Sequence, residues 1–216
     1  DKGHPYRILR GVKNRFGSTN EIGVFEMKSF GLEEVSNPSE LFLSERSVHV
    51  TGSIVVSSME GTRPVLVELQ ALVSPTPFGM PRRMAIGVDS NRVSLLLAVL
   101  EKRAGLLLQG QDVFINVVGG IQIQEPSVDL GILAAVASGF KDRPIDPHLF
   151  IFGEVGLGGE VRGVHQAEGR IREAAKMGFK RCLLPEKNRE RIGEINGMDL
   201  AGIRDVREAL EVLFGK

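Results

Sequence analysis

The chain has no tryptophan, one tyrosine (Tyr6) and one cysteine (Cys182) among its 216 residues. A lone cysteine permits no internal disulfide and suits a reducing cytoplasm. That cysteine and four scattered histidines, His4, His49, His148 and His165, offer no zinc-ligand spacing. With no tryptophan and one tyrosine to interleave with the cations, base stacking contributes little to any contact with nucleic acid. An excess of one charge is missing too: 27 basic and 27 acidic residues cancel. Nucleic-acid binding would therefore rest on local patches rather than a global field. No apolar run approaches the roughly 18 residues of a membrane span, and no signal peptide opens the chain. No G-x-x-x-x-G-K-[ST] occurs, so the chain carries no phosphate loop of its own. It starts at Asp1 without a methionine, and we expect a piece of a longer protein.

What is present is enough apolar residue, 42%, for a real core. Residues 6–27 alternate as a β-hairpin that turns at residues 17–20. Within it lies Lys13-Asn14-Arg15-Phe16-Gly17. Strand alternation points Lys13 and Arg15 the same way. A planar fork beside a point charge makes a phosphate grip. With no phosphate loop to serve, the grip would reach a nucleotide in another region or subunit, or a nucleic-acid backbone. The alternative is a solvated hairpin edge.

Residues 48–56 and 64–73 read as strands joined by a turn at residues 60–63, and residues 75–81 as irregular chain. Asp89 caps a helix that carries Val93, Leu96, Leu97 and Leu100 and stops at Gly105. Further strands fall at residues 112–118, 149–152, 181–184 and 198–200. A hairpin spans residues 154–162, and helices span residues 128–140, 166–177 and 206–214. Gly153, Gly156, Gly158 and Gly159 read as turn glycines, not as a dinucleotide fingerprint. Strands first, then helices alternating with short strands, predict an α+β or mixed α/β domain.

Two clusters carry chemistry. Between residues 81 and 104, Arg82, Arg83, Arg92, Lys102 and Arg103 outnumber Asp89 and Glu101. Arg63 tips one hairpin and Arg162 ends another, so both can join that surface. Phosphate-backbone binding with little sequence preference is the expected use, against a solvated charged face. Charge reversal of Arg82 and Arg83 should then flatten the salt dependence. The second cluster is Ser127 in a Pro-Ser pair before a buried helix. On residue type alone Ser127 is a helix N-cap, with Glu125 and Asp129 as helix-start electrostatics.

The pentapeptide resembles the K-N-R-F-G motif of the RadA/Sms family of bacterial DNA-repair ATPases. The resemblance continues through Asn20-Glu21-Ile22-Gly23-Val24-Phe25, Gly31-Leu32, Val35-Ser36-Asn37-Pro38-Ser39, Pro81-Arg82-Arg83 and Asn91-Arg92. It implies that residues 1–44 finish a RecA-like ATPase core and that a second domain fills residues 45–216. Gln124 to Gly131, and Gly153-Glu154-Val155, are similar to the proteolytic domain of Lon proteases. That likeness implies a Lon-like, ribosomal-protein-S5-domain-2-like fold. A Lon-type protease uses a serine nucleophile and a lysine base. Here the serine position is Ser127, and the lysine position falls at or near Glu168, so the dyad is broken. The resemblance further implies a DNA repair and recombination motor that acts on single-stranded or branched DNA as a homohexameric ring. In it Lys13 and Arg15 sense a neighbour's nucleotide, and Arg82, Arg83, Arg92, Arg162 and Arg63 contact DNA. ATP and magnesium would serve the parent protein, zinc would sit in an N-terminal finger outside this sequence, and RecA would be a partner. A cytoplasmic location follows, with no membrane contact. The rival expectations are a working Lon-type peptidase and a pure oligomerisation scaffold.

Overall fold

A computed structural model describes residues 6–10, 22–77 and 79–215. Lys13 and Arg15 lie outside the described residues. Strand β1 (Tyr6–Arg10) pairs antiparallel with β2 (Ile22–Lys28), as the alternation predicts, and β2 pairs antiparallel with β3 (Gly31–Glu34). Helix α1 (Pro38–Leu43) follows, opened by Pro38 and by Asn37, whose side chain accepts from the Glu40 N–H.

The larger sheet has seven strands. They are β4 (Ser53–Glu60), β5 (Arg63–Pro75), β6 (Arg83–Ile86), β7 (Gln111–Val117), β8 (Leu149–Ile151), and two defined below. Helix α2 (Ser90–Ala104) lies between β6 and β7, and α3 (Asp129–Lys141) between β7 and β8. The two-residue strands β9 (Glu154–Val155) and β10 (Val161–Arg162) form a separate hairpin. Helix α4 (Ala167–Lys176), β11 (Arg181–Pro185), the short α5 (Glu186–Arg189), β12 (Asp199–Ile203) and α6 (Val206–Phe214) complete the chain. The sheet order is β12-β11-β8-β4-β5-β7-β6. Four of its six pairings are parallel, and only β4–β5 and β5–β7 are antiparallel. The fold is thus mixed α/β about a mostly parallel sheet.

Two cores sandwich that sheet. On one face Ile54, Val56, Val67 and Leu69 pack with Leu96 and Leu100 of α2, the apolar α3, and Phe214 of α6. On the other, Val55, Leu66, Phe150 and Cys182 pack with Ala167, Ile171 and Ala174 of α4. Gly131 brings α3 hard against β4, since a Cβ there would come within 2.2 Å of Val56. Burial raises the Cys182 thiol well above its ordinary pKa, so it is a core residue. Helix α1 is tied to both strand and helix: the Ser39 hydroxyl accepts from the Leu66 N–H and donates to Glu173.

One expectation needs correction, and one element was not foreseen. The strand expected from residue 48 begins at Ser53, because His49 and Gly52 have φ of +63° and +80° and cannot continue a strand. The irregular segment after residue 75 leads into β6, a four-residue strand created by its pairing with β7.

Candidate functional site: a serine held by arginine

Ser127 sits in a single 3-10 turn, Pro126–Val128, wedged between β4 and the start of α3, and is 1% exposed. It is not the helix cap: Val128 occupies that position with no side-chain bond. Its hydroxyl instead donates to the Ser57 carbonyl at 3.4 Å and accepts from Arg170 Nη1 at 3.1 Å.

Arg170 is the largest fully buried side chain among the described residues. It reaches the turn from α4. The same Nη1 donates to the Ser57 carbonyl at 2.8 Å and to Glu125 Oε1 at 3.1 Å. Nη2 donates to Glu125 Oε2 at 2.6 Å, and Nε to the His165 carbonyl at 3.2 Å. Glu125 also accepts from the Met59 N–H at 2.6 Å. The guanidinium is therefore satisfied on every side, and its carboxylate partner is tied down in turn.

Glu168, placed by resemblance at or near the lysine position, is exposed and accepts from Arg172 one turn on. Arg170 is the α4 side chain that meets Ser127. Ala167, Arg170, Ile171 and Ala174 all lie on the buried face of α4. That spacing of three, four and seven was the signal that could have put Arg170 inside. Chemically the outcome is clear. A guanidinium does not deprotonate in proteins, so Arg170 cannot take the Ser127 proton.

Asp129, on the other flank, accepts from Arg92 Nε at 3.0 Å, from Arg92 Nη2, and from the Val155 N–H at 3.0 Å. Arg92 also donates to the Val155 carbonyl at 2.8 Å. The turn is thus clamped by arginines from both faces of the sheet. Glu125 and Asp129 bind arginines rather than acting only on the helix start.

The five arginines expected on one DNA surface are dispersed and engaged. Arg82 binds Asp112 through Nε and Nη2, and Arg83 donates to the Gln111 and Leu108 carbonyls. Arg63 donates to the Ser36 carbonyl at 2.7 Å. Arg162 pairs with Glu160 and stands 3.7 Å from Glu154. Arg92 and Arg162 both touch the β9–β10 hairpin, while Arg82 and Arg83 lie at the β6–β7 edge. Arg162 also lines a cavity of about 720 Å³ with Lys187, Arg191 and Arg204, alongside Glu160, Glu186 and Glu190.

Among the described residues no group of three or more His, Cys, Asp or Glu side chains could hold a metal, and no phosphate loop exists. No described helix is long and apolar enough to cross a membrane.

At the level of domain class, the family described as Subunit ChlI of Mg-chelatase matches residues 77–188, more than half of the chain. That span runs from the loop after β5 into α5 and contains the Ser127 turn. Over the whole chain, DNA repair protein RadA of Halalkalibacterium halodurans is 59% identical, and that of Bacillus subtilis 56%. The RadA of Listeria monocytogenes is 54% identical over 98% of the chain. The chain belongs to this RadA family of DNA repair proteins, as its ordered motifs predict. It spans about half the length of the curated relatives it matches, 47% for the first two.

Proposed function

We propose that this chain is the C-terminal region of a RadA/Sms-type repair and recombination protein, with a proteolytically inactive, Lon-like, S5-like domain. It serves as a ring-assembly scaffold and a non-sequence-specific DNA platform for an ATP-driven branch-migration motor working with RecA. Residues 1–44 finish the motor core, and Lys13 and Arg15 sense a neighbouring subunit's nucleotide.

The observation that carries the reading is Arg170 standing where a Ser–Lys protease needs its base. The buried turn that would hold a nucleophile is kept, and its chemistry is replaced by a hydrogen-bonded clamp. The scaffold role is supported by the uncovered sheet face near β6. Strand register lines up Leu72, Phe114 and Met84 across β5, β7 and β6, with Ile86 two residues on. Leu72, Met84 and Ile86 are all more than half exposed. An apolar row of that kind fits an assembly contact.

For DNA, Arg63 and Arg162 are the better candidates of the five, because each is exposed and held by surface partners. Arg82 and Arg92 neutralise buried carboxylates, so their charge reversal would disturb folding as well as binding. Fluorescence anisotropy with single-stranded and duplex oligonucleotides at two salt concentrations tests the platform. Affinity should fall steeply with salt, and Arg162→Glu should flatten that slope. Salt-independent binding, or none, leaves only the scaffold. Hydrolysis of casein that disappears in Ser127→Ala would reinstate the peptidase.

A further inference from the structure

His49 and His148, far apart in sequence, meet at the mouth of one cavity of about 330 Å³. Its lining also includes Leu43, Pro147 and Met177, with Arg46 in the wall and Phe179 buried behind. Arg46 follows α1, with its N–H donating to the Leu43 carbonyl. Its Nη1 donates to the Pro147 carbonyl at 2.9 Å, and its guanidinium lies 5.7 Å from the centre of the Phe179 ring. Its Nε is buried and has no acceptor among the described residues.

Arg82, Arg92, Arg162 and Arg170 each hold a carboxylate in an ion pair. Arg46, like Arg63 and Arg83, donates to backbone carbonyl oxygen and makes no ion pair among the described residues. Glu68 and Asp146 act on it only at a distance, and burial lowers its pKa. The other cavities described all include carboxylates: Glu160, Glu186 and Glu190 in one, Glu68 in another, Glu125 and Asp129 in a third. The Arg46 cavity is lined by one cation, two imidazoles and no carboxylate. A half-buried guanidinium that lines a cavity with two imidazoles, and whose carboxylate neighbours act only from a distance, leaves its cavity-facing charge open to an anion.

We propose that the Arg46 cavity is a phosphate-binding site. The guanidinium grips the oxyanion as a planar donor, and His49 and His148 close over it from the rim. The volume admits a phosphate monoester. Two sources offer that chemistry: free phosphate or a small phosphate ester, and the terminal phosphate of a nucleic-acid strand. The site itself does not depend on the DNA reading, because inorganic phosphate alone tests it.

The experiment is a two-dimensional NMR titration of the full chain with inorganic phosphate at low ionic strength, with chloride as the control. Saturable shifts confined to residues around Arg46, His49 and His148 are expected. Arg46→Lys keeps the charge and stem but loses the fork, and should weaken binding about tenfold. His148→Ala, an exposed change, should weaken it by a few-fold or so while leaving the spectrum otherwise intact. Absence of saturation, or equal affinity in wild type and both variants, overturns the site. A second arm compares 5′-phosphorylated with 5′-hydroxyl oligonucleotides. A preference for the phosphorylated strand that Arg46→Lys abolishes assigns the ligand to strand ends. Equal binding of the two strands assigns it to free phosphate, on the strength of the first arm.

Discussion

Asp112 and Asp129 are the same side chain in nearly the same situation, and they respond in opposite ways. Each is fully buried, and each is gripped by one arginine from the basic stretch, Arg82 or Arg92. Yet Asp112 is held down to about 2, while Asp129 is raised above the ordinary carboxylate value. The leading cause at Asp112 is the Arg82 backbone N–H, at 2.8 Å, followed by the Arg82 side chain. Thr76 adds a fourth donor at 2.8 Å. At Asp129 burial dominates; Arg92 and the Val155 N–H oppose it, and the nearby Glu154 charge adds to it. An arginine partner therefore does not by itself fix a carboxylate's charge. What decides is whether the donors outweigh desolvation: four reach Asp112 and three reach Asp129, beside the Glu154 charge. The signs for stability follow. The Asp112 contribution is fully present above the unfolded pKa and is lost as pH falls from about 4 towards about 2. The Asp129 contribution is present in acid and is lost as pH rises through its raised pKa.

The largest break in this comparison comes at its deepest member, Arg170. Arg170→Ala should destabilise the domain by about 3–5 kcal/mol, because it leaves the Glu125 carboxylate without its counter-charge and with only the Met59 N–H, and the Ser57 carbonyl with only the long Ser127 bond. Denaturant unfolding checks it. The double variant Arg170→Met, Glu125→Leu should recover much of that loss, since an apolar pair needs no counter-charge. A single variant that costs no more than a surface change would mean that water replaces the clamp. Arg92→Ala comes next, at about 1–3 kcal/mol near neutral pH, because Arg92 is partly exposed and water can reach its site. Its cost should shrink in acid, where a protonated Asp129 no longer needs a partner. Asp112→Asn sharpens the contrast by pH alone: it should flatten the acid limb of the stability curve between about 4 and 2. Asp129→Asn should leave that limb in place. If both substitutions act alike, the opposite shifts are wrong.

Most elements were legible because each carried a local signal. Asp89 accepts from the Asn91 N–H as a cap, and Gly105 ends α2 with φ of +72°, both as the pattern predicts. The glycine-rich segment does turn into the β9–β10 hairpin. What stayed hidden depends on long-range partners. β6 exists through β7, and the Ser127 clamp joins residues 43 and 45 positions away in sequence. In the sequence the basic stretch offers a DNA surface or a solvated face, because sequence shows the cations without their acceptors. Asp112 lies 30 residues from Arg82, and Asp129 lies 37 from Arg92. Lys13 and Arg15 fall outside the described residues, so their role stays with the resemblance.

Ser127→Ala should have the smallest effect of the series, about 1 kcal/mol or less. Removing the hydroxyl leaves Arg170 with the Ser57 carbonyl, both Glu125 oxygens and the His165 carbonyl, so no donor is stranded. The bond given up on the other side is the long one, 3.4 Å to the Ser57 carbonyl. That carbonyl keeps its shorter bond from Arg170. A true nucleophile would show the same small change in stability together with a lost activity. Combining Ser127→Ala with Arg170→Ala separates the two roles. If serine acts only through the clamp, the double variant should be no less stable than Arg170→Ala alone. A further loss on adding Ser127→Ala would show that the hydroxyl holds the turn independently of the arginine.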